Sequence, residues 1–173
     1  EKTRNFFYKE KDWMKDLFIY SRGELLFLET GNPVTQISIT TLEGAAVEYD
    51  VLRQGRNANG LYVLTIDAAG LIPWSPGNPQ LYELRCNDFE AVRFGHCELA
   101  TNGNEQILIN GKPSYLRGYI RGIIAHDHPN MTGVSLKEAC LKNISQAKKF
   151  GFNLVRFHST VPCAEFVEAA DEL

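Results

Sequence analysis

The last third of the chain restricts its fold more than any other part. From "YLRGYIRGII" through "SLKEACLKNISQAKKFG" and "FNLVRFH" to "PCAEFVEAADEL" the pattern runs strand, helix, strand, helix. Strands joined by a helical crossover lie parallel, because the crossover carries the chain back to the end of the sheet where it started. The first helix is well marked. Ser135 with Glu138 three residues later fits a capping box. Leu136, Cys140, Ile144 and Ala147 recur at helical spacing and make one apolar face, and Gly151 is placed as a C-terminal stop. Pro162 is expected in the first turn of the second helix, whose apolar stripe is Phe166, Ala169, Ala170 and Leu173. Ser159 and Thr160 read as caps of that helix rather than nucleophiles.

Up to about residue 98 the periodicity is different. "DLFIYSRGELLFLETG", "QISITTLEG", "AAVEYDVLRQ", "GLYVLTIDA" and "QLYELRCNDFEAVRFG" are short runs rich in Val, Ile, Leu, Tyr and Phe, separated by Gly, Pro and Asn. Strands at this spacing predict a β-sandwich of the immunoglobulin-like kind. Asn110-Gly111 inside "EQILINGKPSYLRG" predicts a two-residue hairpin. The expected class is therefore mostly β, with a sandwich over residues 1–98. A hairpin and the first two βα units of an α/β domain follow over 99–173. Two such units cannot close a sheet, so the chain is expected to be a segment of a longer protein.

In α/β sheets, ligands bind beyond the carboxyl ends of the strands. "NLVRFHSTVP" is a Leu-, Val- and Phe-bearing strand with a polar end there, which makes Arg156 and His158 candidate substrate-lining residues. An Arg in that place also suits a structural ion pair with a neighbouring strand end. The loop holding His126, Asp127 and His128 follows the preceding strand and should emerge on the same side. It offers two metal ligands at most, short of the set a metal site needs, so no metal is assigned. Trp74 in "PWSPGNP" invites a sugar-stacking reading, but its place between β-runs favours packing at a sandwich edge. No glycine-rich phosphate loop and no Gly-x-Ser-x-Gly elbow occurs, and no cofactor is implied.

Composition excludes two classes of partner. A net charge of −3 from 18 basic and 21 acidic side chains leaves no concentrated cationic surface for nucleic acid. No apolar run reaches the roughly 18–20 residues of a membrane span. Cys86, Cys97, Cys140 and Cys163 have no metal-ligand spacing; buried free thiols are expected, with a Cys86–Cys97 bridge as the alternative. They leave the compartment open.

Three segments together resemble glycoside hydrolase family 2, which includes β-galactosidases, β-glucuronidases and β-mannosidases. "IPWSPGNPQLYELR" is similar to the family's Trp-x-Pro-x-x-Pro-x-Leu-Tyr signature. "FGHCELATNGNEQILINGKPSYLRG" resembles the passage from Phe-Gly into an Asn-Gly-Lys-Pro hairpin and the first barrel strand. "AKKFGFNLVRFHSTVPCAEFVEAADEL" resembles the first helix, second strand and second helix of the barrel. The resemblance covers about residues 72–173. It implies a retaining glycosidase parent acting on a carbohydrate, whose catalytic (β/α)8 barrel begins in this chain. It places both catalytic Glu residues beyond residue 173, so no catalytic residue is assigned here and the isolated segment is expected to be inactive. A periplasmic or secreted setting suits such a polysaccharide-degrading parent. Arg156 matches the Arg of the family's Asn-x-x-Arg strand end. The chain departs from the galactosidase and glucuronidase pattern in two places. His158 follows Arg156 by two residues rather than three, and the histidines after Gly118 come late. Both departures point to a subgroup with a different glycan. The competing reading is a non-catalytic carbohydrate-binding or spacer sandwich.

Overall fold

The computed structural model describes residues 17–121 and 134–173. The chain is mostly β and divides into two compact units, one of residues 1–71 with 82–94, the other of 72–81 with 95–173.

The first unit holds two antiparallel sheets. Strands β1 (Phe18–Arg22), β2 (Leu25–Thr30), β4 (Asp50–Arg56) and β5 (Tyr62–Asp67) form one in the order β1-β2-β5-β4. Strands β3 (Ile37–Thr41), β6 (Tyr82–Cys86) and β7 (Val92–Phe94) form the other, in the order β3-β6-β7. Successive side chains on a strand point to opposite faces, and β2 shows the result: Leu26, Leu28 and Thr30 are buried while Leu25, Phe27 and Glu29 are only half-buried. The inward residues of both sheets make one core, with Leu26, Leu28, Leu64 and Ile66 from the first and Ile39, Leu84, Cys86 and Phe94 from the second. Asn87, with its backbone at φ 47°, closes the end of this core. Its carboxamide oxygen accepts from the amides of Thr35 and Gln36, and its nitrogen donates to the Pro33 carbonyl.

The second unit begins with a small antiparallel sheet of β8 (Leu99–Thr101), β9 (Ile107–Ile109) and β10 (Lys112–Pro113), in the order β10-β9-β8. The turn between β9 and β10 is Asn110-Gly111, both at positive φ (50° and 73°), as a type I′ hairpin requires. Strand β11 (Gly118–Arg121) then pairs in parallel with β12 (Leu154–Phe157), and helices α1 (Leu136–Lys149) and α2 (Ala164–Glu172) follow the two strands. The parallel order expected from the strand–helix–strand run is present. So is the Ser135–Glu138 capping box, with both reciprocal bonds formed. At the other end of α1 the Gly151 amide donates to the Lys148 carbonyl and the Phe152 amide to that of Ala147, while Gly151 sits at φ 82°. That is a Schellman closure, and it turns the chain straight into β12.

The start of α2 differs from expectation. Its N-cap is Cys163, which makes no side-chain capping bond, and Pro162 lies just outside the helix rather than in its first turn. Ser159 and Thr160 stand too far upstream to reach the free amides of the first turn. Ser159 is instead spent on a left-handed bend at φ 54°, and Thr160 donates to the Val161 carbonyl.

The helices bury Cys140, Phe166 and Ala169 against Val155, Phe157, Leu136, Ile144 and Cys163. All four cysteines are free thiols, so the Cys86–Cys97 bridge is not formed. Burial, and then the neighbouring Cys163, push the Cys140 thiol from its ordinary 9.0 up to about 11. The folded state therefore favours the protonated thiol. The stability this confers is complete below pH 9 and is lost as pH rises towards 11. Urea titrations should show a fall over that range that is smaller in Cys140→Ala than in the wild type by roughly 2–3 kcal/mol. An equal fall in Cys140→Ala would assign the loss to other groups.

Candidate functional site

The register of the parallel pair sets Gly118 beside Leu154, Tyr119 beside Val155, Ile120 beside Arg156 and Arg121 beside Phe157. Val155 and Phe157 pack against the helices. By alternation, Leu154, Arg156 and His158 share the opposite face with Gly118 and Ile120. All five are exposed, Ile120 at 66% and Leu154 at 43%. The His158 amide donates to the Arg121 carbonyl at 2.9 Å, which carries the ladder one residue past the strand and holds His158 at the carboxyl edge.

Asn153 controls where this strand starts. Its side-chain oxygen accepts from the Arg117 amide at 2.7 Å, its nitrogen donates to the Tyr115 carbonyl at 3.0 Å, and its own amide donates to the Arg117 carbonyl at 3.0 Å. These bonds lock the register of β12 against β11, and through it the height of Arg156 three residues later. The loop with His126, Asp127 and His128 lies outside the described residues.

Trp74 is a packing residue, and its hydrogen bonds lie within the second unit. Its indole nitrogen donates to the Asp171 carbonyl at 2.7 Å, its amide to the His96 carbonyl at 2.8 Å, and its carbonyl accepts from Asn110 Nδ2 at 2.8 Å. A Cβ on Gly95 would stand 2.9 Å from Trp74 Cβ, so the glycine after Phe94 is there to admit the tryptophan. The sequence reading passed over His96, which is only 5% exposed; burial lowers its pKa, partly offset by the charge of Glu98.

A cavity of about 140 Å³ opens where β12 begins, away from the Arg156–His158 edge, lined by Trp74, Ile144, Phe152, Leu154 and Phe166. Its walls are mostly apolar; the polar lining residues are Lys148, whose ammonium donates to the Pro76 carbonyl, Asn153, spent on the Arg117 and Tyr115 backbone, and Tyr119, whose hydroxyl donates to Asn143. Among the described residues no group of three or more His, Cys, Asp or Glu is placed to hold a metal ion, and no helix is long and apolar enough to cross a membrane.

No protein-family model matches the sequence, and no curated protein does. Solved structures do. A glycosyl hydrolase family 2 member from Bacteroides cellulosilyticus superposes over 92% of the chain at 19% identity and a TM-score of 0.61. A Bifidobacterium dentium β-glucuronidase superposes over 91% at 23% identity and a TM-score of 0.66. A Parabacteroides merdae β-glucuronidase superposes over 90% at 19% identity and a TM-score of 0.60. The chain spans 22–28% of the length of these proteins. With its two-sheet unit, its Asn-Gly hairpin and its parallel strand pair, the chain has the fold of a segment of the family 2 glycoside hydrolases.

Proposed function

We propose that the chain is part of a retaining glycoside hydrolase of family 2. In this reading the first unit is an immunoglobulin-like sandwich, and residues from about 99 onward open the (β/α)8 barrel. Arg156 and His158 line the sugar subsite next to the cleaved bond. The observation that carries the reading is the parallel β11–β12 pair, backed by helices on one face and presenting Arg156 and His158 at the carboxyl edge of the other. Barrel enzymes assemble their sites at that edge. A guanidinium there can hold a sugar hydroxyl or carboxylate in two bonds, and an imidazole can donate to or accept from a ring hydroxyl. The general acid/base and the nucleophile are two Glu residues supplied from outside these 173 residues, with carboxyls roughly 5–5.5 Å apart. The departures from the galactosidase and glucuronidase pattern around Arg156 favour a different glycan.

The 173-residue chain alone is expected to leave aryl β-glycosides intact, whereas the longer protein containing it hydrolyses them with retention at the anomeric carbon, read by proton NMR. In that longer protein, Arg156→Ala should lower kcat/KM about 100-fold and His158→Ala about 10-fold, with unchanged melting temperatures. Inversion of configuration, or two variants with wild-type kcat/KM, would overturn the reading.

A further inference from the structure

A second cluster of ligand-competent groups lies on the outer face of the β1-β2-β5-β4 sheet. Register sets Tyr20 beside Phe27, Phe27 beside Thr65 and Thr65 beside Arg53, one row across four strands. The next row sets Glu29 beside Val63 and Val63 beside Gly55. The Tyr20 and Phe27 rings stack at 5.1 Å and 8°, with the Arg22 guanidinium carbon 5.5 Å from the Tyr20 centroid. Tyr20 donates its hydroxyl to Glu29 Oε1 at 2.8 Å, which fixes the carboxylate beside the rings.

Between the stacked rings and the edge strand β4 opens a slot of about 350 Å³, lined by Tyr20, Phe27, Glu29, Arg53, Gly55 and Arg56. That is within the size range of small-molecule sites. Gly55 keeps it open: no atom lies within 4 Å of where a Cβ would stand. Arg53 makes no hydrogen bond or ion pair among the described residues. The Thr65 hydroxyl, in the row between Phe27 and Arg53, is buried without a partner. Although the chain carries a net charge of −3, two guanidiniums, of Arg22 and Arg53, and one carboxylate gather here.

We propose that this slot binds one residue of an acidic glycan, an anionic pyranose of the uronic acid type. The aromatic wall matches the C–H face of a pyranose. Arg53 offers the paired N–H groups that a carboxylate accepts. Glu29 accepts from ring hydroxyls. Nothing in the slot is arranged for bond cleavage, so the role is binding. The site is built from the first unit alone and does not rest on the glycosidase reading.

The test is calorimetric titration of the 173-residue chain with trigalacturonate and with the neutral galactose trisaccharide. Saturable binding of the acidic sugar is expected with a Kd on the order of 0.1–1 mM, the neutral sugar at least about tenfold weaker. Arg53→Ala should weaken binding by about tenfold or more. Gly55→Phe should block the slot without altering the circular dichroism spectrum, because its Cβ meets nothing. Absence of saturation, equal affinity for the neutral sugar, or wild-type affinity in both variants would overturn the proposal. Hydrolysis lost in the Arg156 and His158 variants with slot binding intact would separate the two sites.

Discussion

Replacing Phe166 by Ala should cost the second unit about 3–5 kcal/mol, the range for emptying a buried aromatic position. Phe166 is 2% exposed and meets Phe157 edge-on, ring centroids 5.0 Å apart at 90°. It fills the space where α1, α2 and β12 converge, together with Cys140 and Ala169. At the surface, Lys137 Nζ of α1 reaches Glu172 at 2.7 Å and Glu168 at 3.3 Å on α2. Partly exposed pairs of that kind cannot replace a core ring. A loss of this size rivals the whole stability of a small unit. Amides of α1, β12 and α2 should then exchange with solvent at nearly unprotected rates, while those of Leu28 and Leu64 in the other unit keep their protection. Phe166→Leu should cost less, about 1–2 kcal/mol. Wild-type protection in Phe166→Ala would show that this cluster does not hold the helices.

Asn110→Ala should cost about 3 kcal/mol, from two sources. The Asn110 side chain accepts from the Glu98 amide at 2.9 Å and donates to the Trp74 carbonyl at 2.8 Å, and each such bond contributes about 1 kcal/mol. Asn110 also sits at φ 50°, where Asn is tolerated and Ala pays roughly 1 kcal/mol more. Asn110→Gly separates the two, since glycine accepts the turn but makes neither bond, and should lose about 2 kcal/mol. Urea unfolding of the three proteins measures the order wild type, Gly, Ala. An Ala variant within about 0.5 kcal/mol of wild type would mean that the Asn110 bridge contributes nothing.

The Asn-Gly hairpin, the capping box of α1, the glycine stop and the parallel order of β11 and β12 were all legible in the sequence, because each is decided by neighbours a few residues apart. So was the placing of Arg156 and His158 at a strand's carboxyl end. The start of α2 was misread because proline signals a boundary without saying which side of it the cap falls on. The packing of Trp74 was not legible for a different reason: its partners Gly95, His96, Asn110 and Asp171 are 21 to 97 residues away.

Local chemistry, then, settles the elements: alternation makes the strands, capping and left-handed positions end the helices and turns, and a crossover helix forces strands parallel. Which strands become neighbours, and in what register, depends on burying the apolar faces of distant segments together. Only that pairing sets Tyr20, Phe27, Thr65 and Arg53 in one row, though they come from four strands and none of their sequence surroundings announces a site. The same burial leaves Arg156 and His158 on the bare face of β12, because Val155 and Phe157 have taken the face that meets the helices.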